Sequence, residues 1–287
     1  MDTFYGKSLF TGLAAGVGGT LFVALGFALW LSLPSYSLLA KEPPRHPLRL
    51  VTASAAVELE PVLREYIEVI NGCGPYFEGG ACVKMYAGPG EEYRAITQLR
   101  YGVVLEVKGR EVYDGRTWYK IARDENLRYP ERASGDWYVP EGNVRGFFNP
   151  GPQKLAPGEY GSTTKRILVD RSDQMLYAYD GELLYTKLSI STGIQLTPTP
   201  SGYFTIYKKT PSRYMQGPIL EISDKFYDLP GVPWNLYFTK EGAVIHGAYW
   251  HDKFGRKWSN GCVNLPVGAA RSLYEWADLG TQVHVRD

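Results

Sequence analysis

Charged residues are absent from Ser8 to Ala40, and Leu9–Leu33 is an almost continuous apolar run of 25 residues ending at Pro34. It is apolar on every face. At about 1.5 Å per residue, a helix of this length exceeds the ~30 Å hydrocarbon core of a bilayer, so the run predicts a membrane-spanning helix. A cleaved signal peptide is the competing reading, but Ser37-Leu38-Leu39-Ala40 lacks the small residue expected three places before a cleavage point. We therefore expect an uncleaved, single-pass signal anchor over residues 1–40. Lys41, Arg45 and Arg49 outnumber Lys7 around the run and, counted alone, favour keeping the C-terminal side inside. Long domains translocate largely regardless of such charges, so the remainder is expected outside.

Beyond a Pro-rich connector at Lys41–Pro47, Val57, Val62, Tyr66 and Ile70 fall at helical spacing. They predict a short helix over Ala55–Ile70, with Pro61 a kink, inside a connector spanning 41–81. From Cys82 to Phe147 short apolar runs alternate with turns, among them Val103-Val104-Leu105-Glu106-Val107 and Trp118-Tyr119-Lys120-Ile121. These predict the strands of a small barrel over 82–148, and a Gly/Pro-rich linker covers 149–163. The last segment, 164–287, predicts strands at Arg166–Asp170, Met175–Tyr179, Leu183–Ser191, Gly202–Lys208 and Thr281–Val285. One helix is clear, Val267–Ala277, with Pro266 in its first turn and Gly280 at its exit.

Net charge changes the picture by exclusion. With 31 basic and 30 acidic side chains the chain carries only +1, which does not suit a nucleic-acid partner. The 22 tyrosines, 7 tryptophans, 32 glycines and 19 prolines suit a turn-rich β protein that meets a polar polymer. Cys73 and Cys82 bracket a short Gly/Pro loop and suit either a disulfide or two ordinary thiols; Cys262 is the odd one out. Nothing in the pattern fixes an oligomeric state.

Two segments carry candidate chemistry, Ala243-Val244-Ile245-His246-Gly247 and Ser259-Asn260-Gly261-Cys262-Val263-Asn264. A cysteine attacks as a thiolate, so Cys262 needs a neighbouring base. His246 is suited to take the thiol proton and later return one to a leaving amine. Gly261 lets backbone N–H groups approach a developing oxyanion. By spacing alone, a Cys and a His 16 positions apart fit two core residues equally well.

His246, Ser-x-Gly-Cys-Val-Asn at 259–264, Leu176-Tyr177, Ser191-Thr192-Gly193, Thr197 to Phe204, Pro233-Trp234 and Tyr249-Trp250-His251 together resemble the L,D-transpeptidase catalytic domain. The run Val83 to Gly90, Tyr93, Ile96, Leu99, Gly102, Trp118 to Ile121 and Trp137-Tyr138-Val139 resembles a bacterial SH3-like domain, a module that often binds wall polymers. The implied fold class is mainly β. A C-terminal β-sandwich of the L,D-transpeptidase type with one helix follows a small SH3-like barrel and an N-terminal transmembrane helix.

The implied activity is peptidoglycan crosslinking at the cell membrane, with the catalytic domain facing the wall and stem peptides as partners. Neither cofactor nor metal is implied. In that reading Cys262 is the nucleophile and His246 the proton donor and acceptor. The backbone N–H groups of Gly261 and Cys262 are candidate oxyanion donors, Ser259 and Asn264 brace the loop, and Asn260 belongs to the catalytic segment. Tyr249, Trp250 and Asn264 bind substrate, and His251 is a surface or supporting residue. The family usually has a histidine where Asn260 stands, and asparagine does not titrate near neutral pH. Trp234, Tyr249, Trp250 and Trp258 suit either a groove wall or core packing. Competing readings are a non-catalytic wall-binding protein with a degenerate domain, an L,D-carboxypeptidase, a sortase-like enzyme, and a zinc site from His246, His251 and Cys262.

Overall fold

A computed structural model describes residues 62–124, 127–218 and 226–287. The expected anchor, the Pro-rich connector and His46 lie outside the described residues. Among the described residues no helix is long and apolar enough to cross a membrane.

The N-terminal part is one antiparallel sheet of seven strands: β1 (Arg64–Val69), β2 (Val83–Tyr86), β3 (Ala95–Leu99), β4 (Val104–Tyr113), β5 (Arg116–Ile121), β6 (Tyr138–Pro140) and β7 (Val144–Asn149). Their order is β3-β2-β6-β5-β4-β1-β7. The helix expected over Ala55–Ile70 is corrected here, because Arg64–Val69 is a strand between β4 and β7. Tyr66, Ile67, Glu68 and Val69 are all buried, so the strand shows no period-two alternation. The helical spacing of Val62, Tyr66 and Ile70 was coincidental, and the β-branched and aromatic content fits a covered strand. The sheet therefore begins 18 residues before the expected boundary at 82. Cys73 and Cys82 do form a disulfide.

The C-terminal part contains β8 (Gln153–Lys154), β9 (Lys165–Asp170), β10 (Met175–Asp180), β11 (Leu183–Ser189), β12 (Gly202–Thr205), β13 (Lys208–Pro218), β14 (Phe226–Tyr237), β15 (Val244–Gly247), β16 (Val263–Leu265), α1 (Val267–Trp276) and β17 (Gln282–Arg286). Two five-stranded sheets result, β11-β10-β9-β17-β12 and β16-β15-β14-β13-β8. Ile167, Val169, Leu176 and Val283 of the first share one buried cluster with Leu236, Ile245, Val263 and Leu265 of the second. The amphipathic helix α1 buries Val267, Ala270, Leu273 and Tyr274 against β14 and β15. The single strand expected over Gly202–Lys208 is two, since the chain leaves one sheet after Thr205 and enters the other at Lys208.

β13 and β14 join the two parts. Gly231 has φ +64, and a Cβ there would lie 2.4 Å from Val104 O, so only glycine permits this approach to β4. The junction is also polar: Ser212 Oγ donates to Val104 O at 2.5 Å, and the buried Glu68 carboxylate accepts from Arg145 at 2.6 Å and from Arg271 of α1 at 3.2 Å.

Candidate active site

β15 and β16 run parallel, with Ile245 opposite Val263 and His246 opposite Asn264. Cys262, one place before β16, is therefore level with Val244. Side chains alternate along a strand, so Cys262 and Asn264 share a face with His246. A cavity of about 470 Å³ opens on that face, lined by His246, Trp250, Ser259, Asn260, Cys262 and Asn264. Its apolar wall includes Leu196, Met215, Tyr227, Leu229 and Trp258.

The cysteine loop is held from several directions. Gly261 has φ +110, a conformation that favours glycine. Ser259 Oγ accepts the Gly261 N–H at 3.2 Å and donates to Cys262 O at 2.5 Å. Thr199 Oγ1 accepts the Gly193 N–H at 2.9 Å and donates to the same Cys262 carbonyl at 3.4 Å. Backbone bonds between Ser191 and Asn264, and from Ile194 N–H to Ser259 O, tie the loop to the 191–194 segment. Of the two expected oxyanion donors, the Gly261 N–H is engaged with Ser259 Oγ in this geometry.

The imidazole of His246 is 1% exposed. Its Nδ1 lies 3.1 Å from Gly247 O, and a carbonyl only accepts, so Nδ1 carries the proton and Nε2 keeps its lone pair. Burial pushes its pKa down to about 4, against the Gly247 carbonyl, which raises it. Burial also pushes the Cys262 thiol up, while the Val244 backbone and the Arg213 guanidinium act the other way. The half-buried thiol lies 3.9 Å from Gly242 O. In both groups burial thus favours the neutral form.

Of the two readings of His251, surface or supporting, the burial fits the second: it is 2% exposed. Its Nδ1 accepts the Lys253 N–H at 3.1 Å, and burial pushes its pKa down to about 4. The neutral ring thus carries its proton on Nε2, which sits 2.8 Å from the Asn264 amide end drawn as Nδ2, and two N–H donors do not bond each other. That N–H requires an acceptor, so the amide oxygen belongs on the ring side and the NH₂ on the far side. The far end of the amide is buried with no partner among the described residues.

Tyr249 is not brought to the cavity. Its hydroxyl donates to Pro230 O at 2.7 Å, it is 5% exposed, and it belongs to the core. Trp234 is likewise core, between Phe147 and Tyr274. Trp250 and Trp258 do form cavity wall, and Trp250 lies 5.6 Å from the His246 ring. Asn260 is exposed at the rim. His284 stacks on Tyr203 at 4.1 Å, away from the site residues. Sequence reasoning missed the clasp by Thr199, the anchoring by Ser191 and Gly193, and Met215, Tyr227 and Leu229. The first three fall in quoted motifs without an assigned role; the others carry no local signal. Among the described residues no group of three His, Cys, Asp or Glu side chains is placed to hold a metal ion.

Residues 164–285 match the family described as YkuD, the L,D-transpeptidase catalytic domain. That segment is an L,D-transpeptidase catalytic domain. The chain is similar to an L,D-transpeptidase of Enterococcus faecium at 25% identity, over 43% of this chain and 50% of that one, with a TM-score of 0.39. It thus spans half the length of that protein. It is similar to an L,D-transpeptidase from Mycobacterium smegmatis at 21% identity, over 64% and 99% of the two chains, TM-score 0.41. A third similar structure is L,D-transpeptidase 3 from Mycobacterium tuberculosis with a faropenem-derived adduct, at 19% identity over 60% and 91%, TM-score 0.41. No curated protein matches the chain. Within the L,D-transpeptidase domain, β15, β16 and the 259–262 loop supply the cysteine and the histidine.

Proposed function

We propose that the chain is a peptidoglycan L,D-transpeptidase that joins stem peptides through a thioester on Cys262. One observation carries this reading: His246 and Cys262 share a face of two paired strands and line one cavity, inside the L,D-transpeptidase domain. The thiol turns from Gly242 O to Nε2 of His246 and gives up its proton as sulfur attacks the stem carbonyl. Charge develops on the carbonyl oxygen, where the Cys262 N–H and the Asn264 NH₂ are available donors. The C–N bond then breaks, His246 returns the proton to the departing D-alanine amine, and a thioester remains. An amine from a second stem attacks that thioester, losing its proton to His246, and restores the thiol.

Residues 1–40 are read as the membrane anchor, placing the enzyme outside the cytoplasm; the Cys73–Cys82 disulfide supports an oxidising compartment. The seven-stranded sheet is read as the SH3-like module, a spacer or wall-binding element. Intact-mass measurement after incubation with a carbapenem tests the chemistry. A single adduct is expected on the native protein and none on Cys262→Ala. Muropeptides treated with the native protein should gain crosslinked dimers. Crosslinking that survives in Cys262→Ala would sink the proposal.

A further inference from the structure

A second cavity, also about 470 Å³, lies where β1 and β4 of the N-terminal sheet meet β13. Its lining includes Lys108, Arg123 and Arg213, with the carboxyl groups of Glu106 and Asp124. Glu106 is already engaged, accepting from Arg64 at 3.0 Å and from the Tyr66 hydroxyl at 3.1 Å. Asp124 accepts the Tyr214 N–H; burial pushes its pKa up, while that N–H and the Arg213 and Lys208 cations act the other way.

Among the described residues, no carboxylate lies within ion-pairing distance of Lys108, Arg123 or Arg213. Arg123 donates to Ala133 O at 3.0 Å, and Arg213 lies over the Tyr237 ring at 5.3 Å. Elsewhere cations find partners, as in Arg132–Asp228 and Arg145–Glu68, and the whole chain carries only +1. The excess is therefore local. Arg213 is half-buried while Lys108 and Arg123 are exposed, and a concave site concentrates the field of the charges that line it. Guanidinium forks fit carboxylate and phosphate oxygens in pairs.

We propose that this cavity binds an oxyanion, a carboxylate or a phosphate carried by a wall polymer, through Lys108, Arg123 and Arg213. That the carrier is the wall rests on the function proposed above; the oxyanion chemistry does not. Such a site would hold a second feature of the polymer while the cysteine cavity handles the stem.

The full-length protein at low ionic strength is titrated by calorimetry with inorganic phosphate and, separately, with glutarate. Saturable binding of at least one is expected, weakening at least tenfold in Lys108→Ala/Arg123→Ala and in Arg213→Gln, and weakening as salt rises. Lys84→Ala, an exposed change on β2, should bind as the native protein does. Tighter phosphate binding assigns a phosphate-bearing polymer; tighter glutarate binding assigns an acidic peptide. Cys262→Ala should bind normally, which separates this site from the fate of the transpeptidase reading. No saturable binding of either anion, or binding unchanged in both variants, overturns the proposal.

Discussion

Lowering the pH from about 7.5 to about 5 ought to weaken this fold by about 2 kcal/mol through His246 alone. The imidazole is 1% exposed and its pKa lies at about 4, chiefly because burial disfavours the charged ring. In an unfolded chain the same ring titrates near 6.5. Between those values the unfolded chain binds a proton that the folded chain refuses. The contribution is therefore complete above about pH 6.5 and is lost as pH falls toward about 4. His251, also held at about 4, adds a loss in the same window. Domains commonly hold ~5–15 kcal/mol in total, so the effect is large enough to read. Asp170 works in another range: the Ser172 hydroxyl, then the Asp173 N–H and Arg286, hold its carboxyl below the usual value, so its contribution fades only at lower pH. The assay is urea unfolding at both pH values for the native protein, His246→Gln and His251→Gln. The native midpoint should fall with acid, and each substitution should shrink that fall at constant slope. If all three proteins lose equal stability on acidification, the histidines are not buried neutral bases and the reasoning is wrong.

Cys73→Ser should cost about 2–3 kcal/mol in denaturant melts, the entropy of releasing a short loop, and reductant should reproduce the loss on native protein. That loop also contacts the segment next to the site, since Tyr76 OH donates to Asp252 at 2.7 Å and Arg100 lies between Phe77 and Tyr249. Ser259→Ala strips a partner from Cys262 O and from the Gly261 N–H; carbapenem acylation should slow at least tenfold, for about 1–2 kcal/mol of stability. His251→Ala should slow acylation more than His251→Gln, because glutamine retains an N–H donor for the Asn264 oxygen. Equal rates in those two variants would show that the amide is not held by this bond.

The candidate pair, Cys262 and His246, was legible because each lies in a short, chemically specific segment. Cys262 sits in a Gly-containing turn before a helix, and His246 ends a short apolar strand. The strands around Ile167, Leu176 and Val283 and helix α1 were legible for a related reason, that each buries one face and so writes its period into the chain. β1 was not, because burial on both sides erases the alternation. β13 and β14 were hidden by Pro211, Pro218, Pro230, Pro233 and two glycines, which read as loop until the register shift between Arg213 and Met215 places them in a sheet.

What the amino-acid order determined by itself is the chemistry on offer: one odd thiol, one histidine on a hydrophobic strand, and the glycine that shapes the turn between Ser259 and Cys262. Tertiary structure alone decided how those groups are used. It engaged the Gly261 N–H with Ser259 and sent Tyr249 into the core. It turned His251 inward onto Asn264, and it left three cations facing a cavity with no carboxylate at ion-pairing distance among the described residues. Each of these depends on which distant backbone or side chain arrives beside a polar group, and burial then sets its charge. No local pattern along the chain encodes that meeting.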